Sequence, residues 1–208
     1  MPLALPRFYA IIDRSLRPEL SLDETARSLV TAGVRLIQLR AEQATSRALL
    51  TEARQLISLL PASVSLLVND RGDVARFAGA AGVHVGQDDL PVEAARALVG
   101  PNKLVGHSTH NLAQLEPAEA TSADYIAFGP VFATATKPNH EPVVGLEGLR
   151  AARGRTRKPL VAIGGITPAN AAEVLEAGAD SVAVISAWLV GDIGKNLDAF
   201  RRALGALE

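Results

Sequence analysis

Eight short apolar runs divide this chain, and each is followed by a segment that reads as a helix. The runs are "FYAIID" (8–13), "RLIQLR" (35–40), "SLLVND" (65–70), "GVHVG" (82–86), "LVGHS" (104–108), "YIAFGP" (125–130), "PLVAIGG" (159–165) and "SVAVIS" (181–186). Most are continuous rather than alternating, the pattern of strands buried on both faces. Parallel strands of that kind need crossovers covering both sides of the sheet. In "SLDETARSLVTAG", Ser21 and Glu24 stand at capping-box spacing, Leu22, Ala26, Leu29 and Val30 share one face, and Gly33 supplies a stop. "TPANAAEVLEAGAD" predicts a helix with Thr167 as N-cap, Pro168 at its first position and an end at Gly178. "SRALLTEARQLISLL", "LPVEAARALVG", "GLEGLRAARG" and "GKNLDAFRRALGAL" are further helices, and 72–80 and 112–119 are shorter and weaker ones. Eight strand–helix units predict an α/β fold, a single (β/α)8 TIM barrel over residues 1–208, with a doubly wound open sheet as the alternative.

Composition narrows the function classes. A chain of 208 residues, 48% of them hydrophobic, can bury a sizeable core as one domain. A net charge of −1 gives no electrostatic footprint for nucleic acid or an anionic membrane. There is no cysteine, which excludes a thiolate zinc site, a disulfide framework and a thiol nucleophile. "MPLALPRFYAIIDRS" has two prolines and no basic leader, so it does not read as a signal peptide. No apolar stretch is long enough to span a bilayer. A cytoplasmic protein acting on small molecules is expected; the oligomeric state is left open, a homo-oligomer included.

In a barrel all strand C-termini meet at one rim, where active sites are built. The rim set is Asp13 and Arg14; Gln38 and Arg40; Asn69 and Asp70; Gln87, Asp88 and Asp89; Ser108; Thr134, Thr136 and Lys137; Gly164 and Gly165; and Ser186. Asp70 and Asp89 are hard oxygen ligands with no soft donor beside them, a set that suits Mg²⁺ better than Zn²⁺. Helix capping would also explain an Asp before each following helix. Gly164-Gly165 before a helix favours a phosphate, with Ile185 and Ser186 after the eighth strand completing the site, although a tight turn needs glycines too. The long loop "GPVFATATKPNHEP" (129–142) places Lys137 between or beside Thr hydroxyls, either as an anion clamp or as a solvated loop. His84, inside an apolar run, reads as a core histidine, and His107 and His110 carry no assigned role. One metal, cations and a separate phosphate pocket imply transfer from a diphosphate to a phosphorylated acceptor.

"FYAIID", "LIQLR", "VNDRGDVA", "GVHVGQDDLP", "GHSTHN", "ADYIAFGPVFATATK" and "VAIGGITPANAAEVLEAGADSVAVISA" together resemble the thiamine-phosphate synthase family across nearly the whole chain. The resemblance implies joining of a pyrimidine-methyl diphosphate to a thiazole phosphate. It places Gln38, Arg40, Asn69, Ser108 and Lys137 around the pyrimidine diphosphate, with Arg40 and Lys137 as the catalytic cations. It places Asp70 and Asp89 on Mg²⁺, with Asp88 as second choice, and Thr134, Thr136, Gly165, Ile185 and Ser186 at the thiazole phosphate. The implied chemistry is dissociative and needs no protein nucleophile. One departure stands out: after "QLR" the family usually has a Lys two residues on, and here Ala41 and Glu42 follow. Alternatives within the same fold are a thiazole tautomerase and a non-catalytic phosphate-binding barrel.

Overall fold

The first strand shows why the apolar runs are continuous. In β1 (Phe8–Asp13) all six residues are buried. Phe8, Ala10 and Ile12 join a large core beneath the helices, while Tyr9 and Ile11 join a smaller core inside the sheet. Period-2 alternation therefore feeds two cores, and neither face can be polar along most of its length.

The structure is a computed structural model describing residues 4–134 and 141–208. After β1 come β2 (Leu36–Arg40), β3 (Ser65–Asn69), β4 (Gly82–Val85), β5 (Leu104–Thr109), β6 (Tyr125–Phe128), β7 (Leu160–Ile163) and β8 (Ser181–Val184). Each strand is parallel to the next, and β8 pairs back with β1, so the sheet is a closed barrel rather than an open doubly wound one. The register sets Asp13 opposite Arg40, Asn69 opposite His84, and Gly106 between His84 and Tyr125. Strands β3, β4, β6, β7 and β8 end one or two residues earlier than expected, and three of these ends have a special backbone. Asp70 has a left-handed φ of 59°, Gly129-Pro130 follows Phe128, and Gly164 and Gly165 have φ of 101° and 62°.

The helices are α1 (Leu22–Ala32), α2 (Ser46–Leu59), α3 (Gly72–Ala78), α4 (Val92–Val99), α5 (Leu112–Glu119), α6 (Gly145–Arg153), α7 (Ala171–Glu176), α8 (Ser186–Leu189) and α9 (Ile193–Leu204). Ser21 caps α1 by accepting from Glu24 N at 3.3 Å, and Gly33 closes it in the left-handed region. The expected helix from Thr167 is shorter: α7 starts at Ala171, because Asn170 Oδ1 accepts from Thr167 N at 2.7 Å and holds 167–170 as a turn. Past β8, α9 returns to the barrel, and Phe200 meets Phe8 with ring centroids 4.9 Å apart. Burying each such ring contributes about 1.5–3 kcal/mol.

Candidate active site

The inward parity set by Leu36 carries Gln38 and Arg40 into the barrel mouth, and that set by Tyr9 carries Asp13 there. Asp13 is 1% exposed, and its two oxygens have separate duties. Oδ2 accepts from Arg40 Nη1, while Oδ1 accepts from the backbone N (2.9 Å) and hydroxyl (2.5 Å) of Ser15. The second Arg40 nitrogen, Nη2, pairs with Glu42. The guanidinium is thus fixed from beneath by a buried carboxylate and met at the rim by a half-exposed one.

Asp70 would point toward the helices if β3 continued its alternation past Asn69. Instead it is the only non-glycine among the described residues with positive φ, and it lines the cavity. Asp tolerates this region because its short side chain bonds locally; here Oδ2 accepts from Asn69 Nδ2 at 2.6 Å and the Asp70 N–H donates to His84 O at 2.7 Å. Asp89 closes its own loop by accepting from Gly86 N at 2.7 Å. Neither residue caps a helix: the residues before α3 and α4 are Arg71 and Pro91, and neither makes a side-chain cap. The capping alternative therefore fails for both.

The Asp70 carboxyl is pushed up to about 7 by burial, then by its hydrogen bond to and the charge of Asp89, against the partial relief of Arg40. Two carboxylates this close hold a proton or a cation between them. The cavity is about 830 Å³. Among the described residues Glu42, Asp70, Asp88, Asp89 and Glu141 line it against the single guanidinium of Arg40. No cluster of three or more His, Asp or Glu side chains suited to a metal occurs among the described residues. Asp70 and Asp89 supply hard oxygen donors that could hold a divalent cation, which would need further ligands from outside the protein.

Beneath this charged rim lies a neutral floor. Gln38 Nε2 donates to Tyr9 Oη at 2.7 Å; Tyr9 Oη and Tyr125 Oη are 3.0 Å apart; Tyr125 Oη is 2.9 Å from His84 Nδ1; and His84 Nε2 is 2.8 Å from Ser108 Oγ. Burial pushes the Tyr9 phenol up to about 12 and the Tyr125 phenol well above its ordinary value, and pushes the His84 imidazole down to about 4. All five are uncharged near neutral pH.

The sequence-predicted residues Gln38, Arg40, Asn69, Asp70, Asp89, Ser108, Thr134, Gly165, Ile185 and Ser186 all line the one cavity, as does Asp88. Thr136 and Lys137 lie outside the described residues. Gly164 and Gly165 are demanded partly by packing, since a Cβ on either would strike the 130–133 segment. Sequence reasoning missed Asp13 as the anchor of Arg40, and Tyr9 and Tyr125 as partners of Gln38 and His84. The available signal was a phenol at an inward position of an otherwise apolar strand, which needs a buried partner.

The family model described as thiamine monophosphate synthase (TMP-TENI) matches residues 8–188. A thiamine-phosphate synthase of Koribacter versatilis is 55% identical over 192 residues, covering 90% of this chain and 91% of that protein. One of Chloroflexus aurantiacus is 46% identical, with 97% and 92% covered. The solved thiamine phosphate pyrophosphorylase of Pyrococcus furiosus superimposes with a TM-score of 0.85 at 37% identity, covering 96% of this chain and 95% of that one.

Proposed function

This chain belongs to the thiamine monophosphate synthase family, and from that premise we propose that it condenses 4-amino-2-methyl-5-(diphosphooxymethyl)pyrimidine with thiazole phosphate, giving thiamine phosphate and diphosphate. The observation that carries this reading is the acid-lined mouth around the facing Asp70 and Asp89 carboxylates. Such a mouth repels a diphosphate unless a cation intervenes, and a diphosphate is the leaving group of the proposed reaction.

Asp70 and Asp89 would hold Mg²⁺, which when bound neutralises charge gathering on the departing diphosphate. Arg40, steadied by Asp13, offers its guanidinium to the same oxygens. Lys137 is the second proposed cation. Gln38, Asn69 and Ser108 orient the pyrimidine, whose own ring stabilises the methylene cation left behind. Gly165, Ile185 and Ser186, with the Thr134 and Thr136 loop, seat the thiazole phosphate so that its ring nitrogen attacks that methylene. The bond from methylene to diphosphate oxygen breaks, the carbon–nitrogen bond forms, and no covalent enzyme intermediate is needed. Holding two substrates in register contributes much of the acceleration. A cytoplasmic location suits such a biosynthetic step, and no helix among the described residues is long and apolar enough to cross a membrane.

Incubating the purified protein with both substrates tests the reading. Thiamine phosphate and diphosphate should form in equal amounts, cease on adding EDTA and return with Mg²⁺. Isomerisation of the thiazole phosphate alone, or no turnover at all in Mg²⁺, would overturn it.

A further inference from the structure

The floor of the cavity is one unbroken chain of hydrogen bonds, Gln38–Tyr9–Tyr125–His84–Ser108, drawn from five different strands. Each middle member has a single proton to give: a phenol has one O–H, and a neutral imidazole has one donor and one acceptor. Its direction is therefore all or none. With the Gln38 amide nitrogen toward Tyr9, Tyr9 donates to Tyr125, Tyr125 donates to His84 Nδ1, and His84 donates from Nε2 to Ser108. The two ends then differ in kind. Gln38 turns its carbonyl oxygen, with one amide N–H besides, away from the chain to accept, and Ser108 keeps its own proton to donate. Both line the cavity, whereas Tyr125 is fully buried and forms no part of its wall.

Strand β5 is shaped around this chain. Gly106 sits in register between His84 and Tyr125, and a Cβ there would strike the Tyr125 Cζ and Oη and the His84 Nδ1. The missing side chain is the space through which the phenol reaches the imidazole.

We propose that this chain fixes the hydrogen-bond polarity of the pyrimidine pocket, so that it accepts at Gln38 and donates at Ser108, with Tyr125 and His84 as positioning residues that select a 4-aminopyrimidine over its 4-oxo counterpart. This rests on the pyrimidine diphosphate being the substrate. The amino ring presents exocyclic N–H donors and bare ring nitrogens. The oxo ring exchanges them for a carbonyl and a ring N–H. A pocket of fixed polarity pairs with the first and leaves a buried group unpaired with the second.

Two measurements test this. Nitrogen-15 NMR of the substrate-free protein should find His84 as the Nε2–H tautomer. Calorimetric titration in Mg²⁺ with the 4-amino pyrimidine diphosphate and with its 4-oxo counterpart should show a wild-type preference of about 5- to 150-fold for the amino form. Tyr125→Phe should lose most of that preference, because each half of the broken chain can then reverse. If that variant does not fold, Tyr9→Phe breaks the chain one link earlier and is read in the same way. An Nδ1–H tautomer in the wild type, or an undiminished preference in a folded variant, overturns the polarity even if thiamine phosphate is made. A wild type that binds neither pyrimidine overturns the substrate reading, and the selectivity with it, whatever the tautomer.

Discussion

The rim and the floor of the same cavity are built on opposite principles. At the rim the groups are ionisable: Arg40, Glu42, Asp70 and Asp89 line one mouth, and the buried Asp13 braces Arg40 from below. Deeper in the barrel the floor residues, from β1, β2, β4, β5 and β6, are neutral, and burial holds His84 unprotonated and both phenols protonated. Water and a cation screen charge at the rim, whereas an ion on the floor would be desolvated without an opposite charge to offset it. The contrast suits the proposed substrate, a diphosphate at one end and an uncharged heterocycle at the other.

The comparison breaks most readily at the carboxylates. Asp70→Ala and Asp89→Ala should each lower turnover by about 10²–10³-fold, the scale of losing one electrostatic contact to a developing charge, while circular dichroism stays near wild type; melting should hold for Asp89→Ala and fall modestly for Asp70→Ala, whose alanine must adopt a φ of 59°. Near-wild-type turnover of both variants in Mg²⁺ would remove the rim's proposed purpose.

A second test takes the floor. His84 has a folded-state pKa of about 4 against an ordinary 6.5, so the unfolded chain binds a proton that the folded one does not. Its contribution is present above pH 6.5 and is lost as pH falls toward 4, by up to about 3 kcal/mol. Denaturant melts at pH 7 and pH 4 should therefore show His84→Gln losing less stability on acidification than wild type. Parallel losses in the two proteins would mean that the imidazole is already charged or is reached by water.

Glu42 offers the smallest and most pointed test. Its side chain is 49% exposed yet paired with Arg40, at the position where the family usually carries Lys. An exposed pair is worth about 0–1 kcal/mol, so Glu42→Lys should tighten the pyrimidine diphosphate several-fold and lessen the demand for Mg²⁺. Unchanged affinity and Mg²⁺ dependence would show that Glu42 leaves Arg40 for solvent when substrate binds.

Much of this architecture was legible in the chain, for a physical reason. Continuous apolar runs between helical segments leave few solutions other than a sheet covered on both sides, and strand ends then converge without any knowledge of contacts. Gln38, Asn69, Ser108 and Asp89 could be gathered on one rim by that logic alone. What stayed hidden depends on parity and register. Whether Asp13 faces Arg40 or a helix is decided by which face Tyr9 occupies, and that is set by closure of the barrel. Asp70 reaches the cavity through a φ of 59°, which no propensity announces. Thr167 and Asn170 are both good capping residues, and only the fold shows that Asn170 folds back on Thr167 N and delays the helix.

On the proposed reading the rim accepts a diphosphate only when a divalent cation joins Asp70 and Asp89. Calorimetric titration of the wild-type protein with the pyrimidine diphosphate, once in Mg²⁺ and once in EDTA, addresses it directly. Binding should be at least about 100-fold weaker in EDTA, equivalent to about 2.7 kcal/mol, with Asp70→Ala weak in both. Equal affinity in the two buffers would contradict it.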